Sequence, residues 1–233
     1  MNLFYAPELT SSSRFYVFDK TESRHISKVL RMKIGEILFL TNGKGDWFEA
    51  KIVDYNLKNT KVEIISHRYV RKNQSKIHIA IAPTKSNERF EWFLEKATEI
   101  GIDEITPLLT KHSERKKINS DRYKRILVAA MKQSLQAHLP RLNEMTKITD
   151  FFRKNHNEKQ RFIAYCKAEE ALKEMIVVGS DVLVLIGPEG GFSENEFIAA
   201  VEQGFEPAGL SKNRLRTETA GLVALTTARL KLD

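Results

Sequence analysis

Leu185-Ile186-Gly187-Pro188-Glu189-Gly190-Gly191-Phe192-Ser193-Glu194 decides how this chain is read. Val182 to Ile186 is an unbroken apolar run, the pattern of a strand buried on both faces. A glycine-rich turn ends it, and a helix start follows at once. Ser193 and Glu196 have the spacing of a capping box, with Phe192 and Phe197 at the positions of a hydrophobic staple. The stretch reads as buried strand, tight loop, helix. In open α/β sheets ligands sit in such loops, at the carboxyl ends of strands, and glycines let backbone amides approach a ligand with no Cβ between. A plain strand-to-helix turn has the same appearance, because glycine-rich turns alone are weak signals.

Outward from this stretch, strand and helix periods alternate. Ile77, Ile79 and Ile81 predict a strand ended by Pro83. Residues 87–100 predict a helix with Phe90, Phe93, Leu94, Ala97 and Ile100 on one face and Gly101 as its stop. A strand at 105–109 precedes a helix capped by Asp121, with Tyr123, Ile126, Leu127, Ala130 and Met131 inward. A strand is expected at 162–166 with a helix from Ala168, then a helix at 193–203, a strand at 206–210 and a last helix from about Glu218 to Leu232. Such alternation implies a mostly parallel, doubly wound sheet over residues 73–233.

Residues 1–72 have a different character. Strands are expected at 14–18 and 36–41, followed by the turn Asn42-Gly43-Lys44-Gly45. Phe48, Ala50 and Ile52 alternate with polar residues, and Val62 and Ile64 mark a further strand. One helix is expected at 22–31, with Ile26, Val29 and Leu30 on one face. This is the pattern of a small β-barrel. The polar, basic run from His67 to Lys76 reads as a linker, dividing the chain into domains 1–72 and 73–233.

The chain has 233 residues, of which 42% are hydrophobic, enough for a sizeable core. No apolar run approaches the ~20 residues of a membrane span, and the start lacks the basic and apolar regions of a signal peptide. Cys166 is the only cysteine, which excludes an internal disulfide and a cysteine metal cage. A cytoplasmic protein without membrane or metal is expected. Net charge is +8, and residues 1–72 carry most of it, with 13 Lys/Arg against 8 Asp/Glu. That excess suits a polyanion such as nucleic acid, and equally a solvated, mildly biased surface. Arg24, His25, Lys28 and Arg31 share one helix face that suits phosphate contacts; His25 also reads as an inert surface histidine. The glycines match neither the dinucleotide fingerprint nor a P-loop, and there is no H-E-x-x-H and no G-x-S-x-G. Hydride transfer, ATP hydrolysis, zinc hydrolysis and esterase chemistry are disfavoured.

A second stretch, Leu210-Ser211-Lys212-Asn213-Arg214-Leu215-Arg216-Thr217-Glu218-Thr219-Ala220-Gly221, leads a basic loop into the last helix. Glu218 there is favourable with the helix dipole, whereas Arg216 is not, which points to a ligand or phosphate role for Arg216. Together, 187–193 and 215–220 resemble the paired cofactor loops of SPOUT methyltransferases, most closely the RsmE family, which methylates N3 of a uridine in small-subunit ribosomal RNA. Arg24-His25-Ile26-Ser27-Lys28-Val29-Leu30-Arg31 with Gly35, Glu95-Lys96-Ala97-Thr98-Glu99-Ile100-Gly101-Ile102, and Ser113-Glu114-Arg115 resemble other motifs of that family. One departure is that Gln133-Ser134 is followed by Leu135-Gln136-Ala137-His138, where family members usually have an arginine.

The resemblance implies a trefoil-knotted SPOUT domain behind a PUA-like RNA-binding β-barrel, working as a homodimer on ribosomal RNA in an assembled small-subunit particle. It implies S-adenosylmethionine as cofactor, held near Tyr165 to Ala168 and by Leu185, Gly187, Glu189, Gly190, Gly191, Leu210, Ser211, Leu215, Thr219 and Ala220. Arg216 would stabilise charge on the uracil carbonyls, and Glu189 or Glu218 would accept the N3 proton. Arg14, Arg24, His25, Lys28, Arg31, Arg71 and Arg115 would contact RNA. The alternatives are a non-catalytic RNA-binding protein with a methyltransferase fold, a SPOUT methylase with another RNA target, and a small-molecule enzyme using the same pocket.

Overall fold

The computed structural model describes Met1–Leu232. Two compact units are present: Met1–Lys72 together with Met131–Leu139, and Asn73–Ala130 together with the chain from Pro140 on.

The first unit is built on β1 (Leu3–Tyr5), β2 (Phe15–Val17), α1 (Lys20–Arg24), β3 (Ile37–Thr41), β4 (Asp46–Asp54) and β5 (Lys61–Tyr69). The strands form one sheet in the order β1-β3-β4-β5-β2, antiparallel except for the β1–β3 pair. The register of β4 with β5 shifts twice, past Ile65 in β5 and past Val53 in β4, and such irregularities add twist and curl the sheet. Inside lie the alternating side chains of Leu38, Leu40, Phe48, Ala50, Ile52 and Val62, closed over by Ile26, Phe18 and Phe4. Met131–Leu139 is bonded into this unit at its backbone carbonyls and N–H groups. The Ala137 carbonyl accepts from the Thr41 hydroxyl and the Gly45 N–H, both at 3.0 Å, and the Leu139 N–H donates to the Gly43 carbonyl at 2.9 Å. Leu135 turns the chain with φ of 56°. The segment after Gln133-Ser134 thus has a structural task here.

Two expectations for this unit need correction. The helix begins at Lys20, where Asp19 caps it by accepting from the Glu22 N–H at 2.8 Å. It continues as a π-helical turn, His25–Val29, closed by Leu30 N–H on the His25 carbonyl at 2.9 Å. The wider turn rotates the face, so Ile26 is fully buried while Val29 is 69% exposed instead of inward. The linker also starts later than expected. His67–Tyr69 extends β5, and His67 Nε2 lies 2.7 Å from Asp46 Oδ1.

The second unit contains β6 (Ile77–Ile81), α2 (Asn87–Ile100), β7 (Glu104–Leu109), α3 (Ser120–Gln133), β8 (Arg141–Leu142), β9 (Thr146–Lys147), α4 (Ile148–Phe152), β10 (Gln160–Ala164), α5 (Leu172–Met175), β11 (Val182–Ile186), α6 (Glu194–Glu202), β12 (Glu206–Ala208) and α7 (Thr217–Leu232). The last turn of α3 belongs to the first unit. Strand order is β12-β10-β11-β6-β7-β8, every pair parallel, with β9 beside the end of β7. β6 and β11 are buried at every residue, as a sheet covered on both faces requires. Asn119, not Asp121, caps α3, accepting from the Arg122 N–H at 3.1 Å. β10 ends at Ala164 and β12 at Ala208, so Tyr165, Cys166, Gly209 and Leu210 fall into loops instead of strands. Among the described residues no helix is long and apolar enough to cross a membrane, and no His/Cys/Asp/Glu cluster would hold a metal ion.

A buried polar chain crosses the amino-terminal half of the sheet. His78 lies 2.9 Å from Glu158 Oε1 through Nδ1 and 2.8 Å from the Thr106 hydroxyl through Nε2. Burial pushes the Glu158 carboxyl up, but its bond to His78 and the charges of His78 and His156 outweigh this and leave it below its ordinary value. A lowered carboxylate contributes stability above the ordinary Glu value of about 4.3, and loses it as pH falls through the folded value. Glu158→Gln is therefore expected to lower Tm at neutral pH, with the gap to the unmodified chain closing in acid. A gap unchanged from pH 7 to pH 3 would contradict this.

Gly221 marks where α7 meets α2 and β6. An added Cβ would lie 2.7 Å from the Phe93 ring and 2.9 Å from Ile81 Cδ1, both side chains fully buried. Alanine favours a helix over glycine by about 1 kcal/mol, but overpacking costs about 1–3 kcal/mol. Gly221→Ala is expected to lower Tm in thermal unfolding, and a raised Tm would contradict the close approach.

Candidate active site

The second unit brings several loops together at one edge. Because the strands are parallel, their carboxyl ends point the same way. Register sets Ile186 opposite Ile81, Ile163 opposite Leu185, and Ala164 opposite Ala208, so four strands end in one row. The loops leaving that row are Tyr165–Ala168, Gly187–Ser193, Gly209–Arg216 and the segment from Ala82 to Ser86.

The Gly187 loop is a compact turn. The Gly191 N–H donates to the Pro188 carbonyl at 2.8 Å, and Gly191 holds φ of 72°, a conformation that favours glycine. Glu196 seals the helix start by accepting from the Ser193 N–H and hydroxyl, at 2.8 and 2.9 Å. Phe192 and Phe197 pack against the same apolar cluster. Two neighbouring segments brace the loop. The Lys85 N–H donates to the Glu189 carboxylate at 3.2 Å, and His112 Nδ1 lies 3.1 Å from the Gly191 carbonyl. Arg115 ties these braces together, donating to the carbonyls of Thr84 at 2.9 Å and Lys85 at 2.6 Å.

The second loop reaches the first through its helix. Arg216 is the N-cap of α7, its carbonyl accepting from the Ala220 N–H at 2.8 Å. Thr217 follows, and its hydroxyl donates to the Gly187 carbonyl at 3.2 Å. Arg214 donates to the Glu189 carbonyl at 3.3 Å. On the Tyr165 loop, the Tyr165 N–H bonds the Ala208 carbonyl at 3.0 Å, and its ring lies 4.4 Å from that of Phe197.

Beside the second loop is an open cleft of about 610 Å³. One wall is Arg214, Leu215, Arg216, Glu218 and Thr219, and the other is Glu88, Arg89 and Trp92 of α2. Glu218 is only 6% exposed, and its carboxylate lies 3.8 Å from Arg89 Nε. Arg216 is exposed.

Of the residues singled out from sequence, Leu215, Arg216, Glu218 and Thr219 thus share one cleft. Glu189 does not line it; it is exposed on the glycine loop with its carboxylate turned to Lys85. Leu185 is wholly buried in the core, so its side chain has no surface to offer a ligand, a consequence of β11 being covered on both faces. Gly187, Gly190, Gly191, Leu210 and Ser211 lie on the converging loops, and Ala220 in the first turn of α7. In the first unit Arg14, Arg24, His25, Lys28, Arg31 and Arg71 are all exposed. Arg115 is half-buried and donates to the two carbonyls through Nε and Nη2. Sequence reasoning missed Arg89 and Trp92. The available signal was Trp92 standing off the apolar stripe of its helix.

Comparison with known proteins agrees with this geometry. Residues 71–229 match the family model of the RNA methyltransferase domain, and 18–65 that of the RNA methyltransferase PUA domain. The ribosomal RNA small subunit methyltransferase E of Buchnera aphidicola subsp. Acyrthosiphon pisum is 30% identical over 221 residues, covering 92% of this chain and 87% of the relative. A probable rRNA-methyltransferase from Porphyromonas gingivalis superimposes with a TM-score of 0.92 at 41% identity, covering 99% of this chain and 98% of that one. A putative methyltransferase from Legionella pneumophila, solved with bound cofactor SAM, superimposes with a TM-score of 0.88 at 31% identity, covering 98% and 96%.

The bond between Thr217 and Gly187 is directly testable. Thr217→Val keeps the shape and removes the donor, leaving a carbonyl short of its partner at a cost of about 0.5–1.5 kcal/mol. A lower denaturation midpoint and faster amide exchange in 187–191 are expected. If both stay unchanged, the bond does not hold the loops together.

Proposed function

We propose, since the chain belongs to the ribosomal RNA small subunit methyltransferase E family, that it transfers a methyl group from S-adenosylmethionine to N3 of a uridine in small-subunit ribosomal RNA. The observation that carries this reading is the convergence of the Gly187–Gly191 and Leu210–Ala220 loops on one sheet edge, joined by Thr217 and flanked by the cleft of Arg216 and Glu218.

The residues present suit the cofactor. Gly191 keeps a φ that favours glycine, and nothing lies within 4 Å of the place a Cβ would take. Gly187, Gly190 and Ser211 offer backbone groups for adenine and ribose edges, whereas the N–H groups of Gly191 and Ala220 are already bonded within the protein. Leu210 and Leu215, both partly exposed, offer apolar cover for the adenine, a task the buried Leu185 side chain leaves to them. Bound there, S-adenosylmethionine supplies an electrophilic methyl group on a sulfonium.

The protein's own work is alignment and charge. In-line displacement requires N3 to be held behind the methyl carbon. Arg216 donates to the uracil carbonyls as negative charge develops there. Glu218 accepts the N3 proton. Its support over Glu189 is its place in the cleft beside Arg216, whereas the Glu189 carboxylate is held outside by Lys85. N3 lies on the Watson–Crick edge, so the uridine must be unpaired or extruded to enter. The exposed cations of the first unit, Arg14, Arg24, Lys28, Arg31 and Arg71, with His25 beside them, position the RNA through phosphates. A cytoplasmic homodimer acting on an assembled particle belongs to the same proposal. So does the trefoil knot, which the likeness to SPOUT methyltransferases implies.

The test uses isotopically labelled S-adenosylmethionine and small ribosomal subunits lacking the modification, with nucleosides identified by mass spectrometry after digestion. Labelled 3-methyluridine is expected. Label in another nucleoside, or none, would contradict the assignment. With that assay running, Arg216→Ala is expected to lower turnover on the order of 10²-fold with cofactor affinity little changed, as for loss of one oxyanion donor. Glu218→Gln should likewise reduce turnover more than cofactor affinity. Full turnover in either variant removes that residue from the mechanism.

A further inference from the structure

Trp92 is a large aromatic side chain left nearly half exposed. Its helix, α2, buries Phe90, Phe93, Leu94 and Ala97 completely, and Trp92 lies off that stripe with 45% of its surface exposed. Glu88 and Arg89, four and three residues before it, share its face. A lone exposed aromatic is ordinary on a protein surface. This one instead forms a wall of a concave site whose opposite wall carries Arg214, Leu215, Arg216 and Glu218. Flat aromatic area beside guanidinium groups is the combination that binds single-stranded nucleic acid, the ring taking a base face and the cations a phosphate or a carbonyl edge. The cleft, about 610 Å³, has room for a nucleotide.

We propose that Trp92 is the stacking platform for the target uracil, holding the extruded base by its face while Arg216 and Glu218 address its edge. This rests on the methyltransferase reading above. It adds a binding residue which that reading does not require. Glu218, paired with Arg89 at 3.8 Å, is tied to the same helix as the platform, so α2 carries both the stacking ring and the partner of the carboxylate. Stacking is indifferent to which base is offered, so Trp92 supplies affinity and orientation, and the edge groups supply the preference for uracil.

The chain has two tryptophans, and the other, Trp47, is 5% exposed in the core of the first unit. Tryptophan emission is therefore a probe for Trp92. A short single-stranded RNA carrying one uridine is titrated into the full chain, its Trp92→Phe, Trp92→Leu and Trp92→Ala variants, and compared with the same RNA abasic at that position. Quenching of the unmodified chain by the uridine RNA, weaker with the abasic one and lost in Trp92→Phe, is expected. In methyl-transfer kinetics, Trp92→Leu and Trp92→Ala should raise KM for RNA roughly 5- to 100-fold, with Trp92→Phe close to the unmodified chain and S-adenosylmethionine affinity unchanged. Equal KM for Trp92→Leu and Trp92→Phe would overturn the proposal, since bulk would then suffice without a π-face. So would identical quenching by abasic RNA. A change of oligomeric state in Trp92→Leu and Trp92→Ala with RNA affinity intact would also overturn it, making Trp92 a contact between copies. Quenching as expected without methyl transfer would leave the platform standing and remove the enzymatic reading. Methyl transfer unaffected in all three variants would do the reverse.

Discussion

A row of parallel strand ends, closed by one hydroxyl, is the constraint on which the site depends. β6, β11, β10 and β12 stop level with one another, and the chain leaves each in a loop on the same edge. Loops that begin together need not stay together. Thr217, at the first position of α7, donates to the Gly187 carbonyl at the end of β11, fixing the last helix to the central strand. That contact sets Arg216 and Glu218 at the mouth of the cleft and brings the basic loop against the glycine turn.

The sequence carried the architecture of the second unit well because its signals are local. β11 and α2 have the bounds expected from an apolar run and from a 3.6-residue stripe ended by Gly101, whose φ is 93°. The capping role of Ser193 and Glu196 was visible in their spacing. Failures came where geometry departs from the common period. The π-helical turn at His25–Val29 has no signature in an apolar pattern, and it moved Val29 from inside to outside. Asn119 displaced Asp121 as a cap because either side chain suits that task and only the chain path chooses. The strand ends at Ala164 and Ala208 were overrun because apolar loop residues look like strand residues.

The site was legible in part for the same reason. Glycine loops and basic helix starts announce themselves along the chain, so Gly187–Gly191 and Arg216–Ala220 stood out. Residues that act from another element do not. Lys85, His112 and Arg115 brace the glycine loop from two other segments, and Arg89 meets Glu218 from α2. Arg115 is a further case of a residue acting from another element. Its guanidinium holds two carbonyls, a bracing task in the fold that its charge does not reveal. Leu185 shows the same for apolarity, since a residue within a doubly covered strand has no side-chain surface left for a ligand.

If three separate loops form one cofactor site, they respond to the cofactor together. Amide hydrogen exchange with and without S-adenosylmethionine tests it most directly. The cofactor is expected to slow exchange together in residues 165–168, 187–191 and 210–220, with the first unit unaffected. Binding that protects only one of these loops, or that protects residues elsewhere while leaving the glycine turn unchanged, would contradict it.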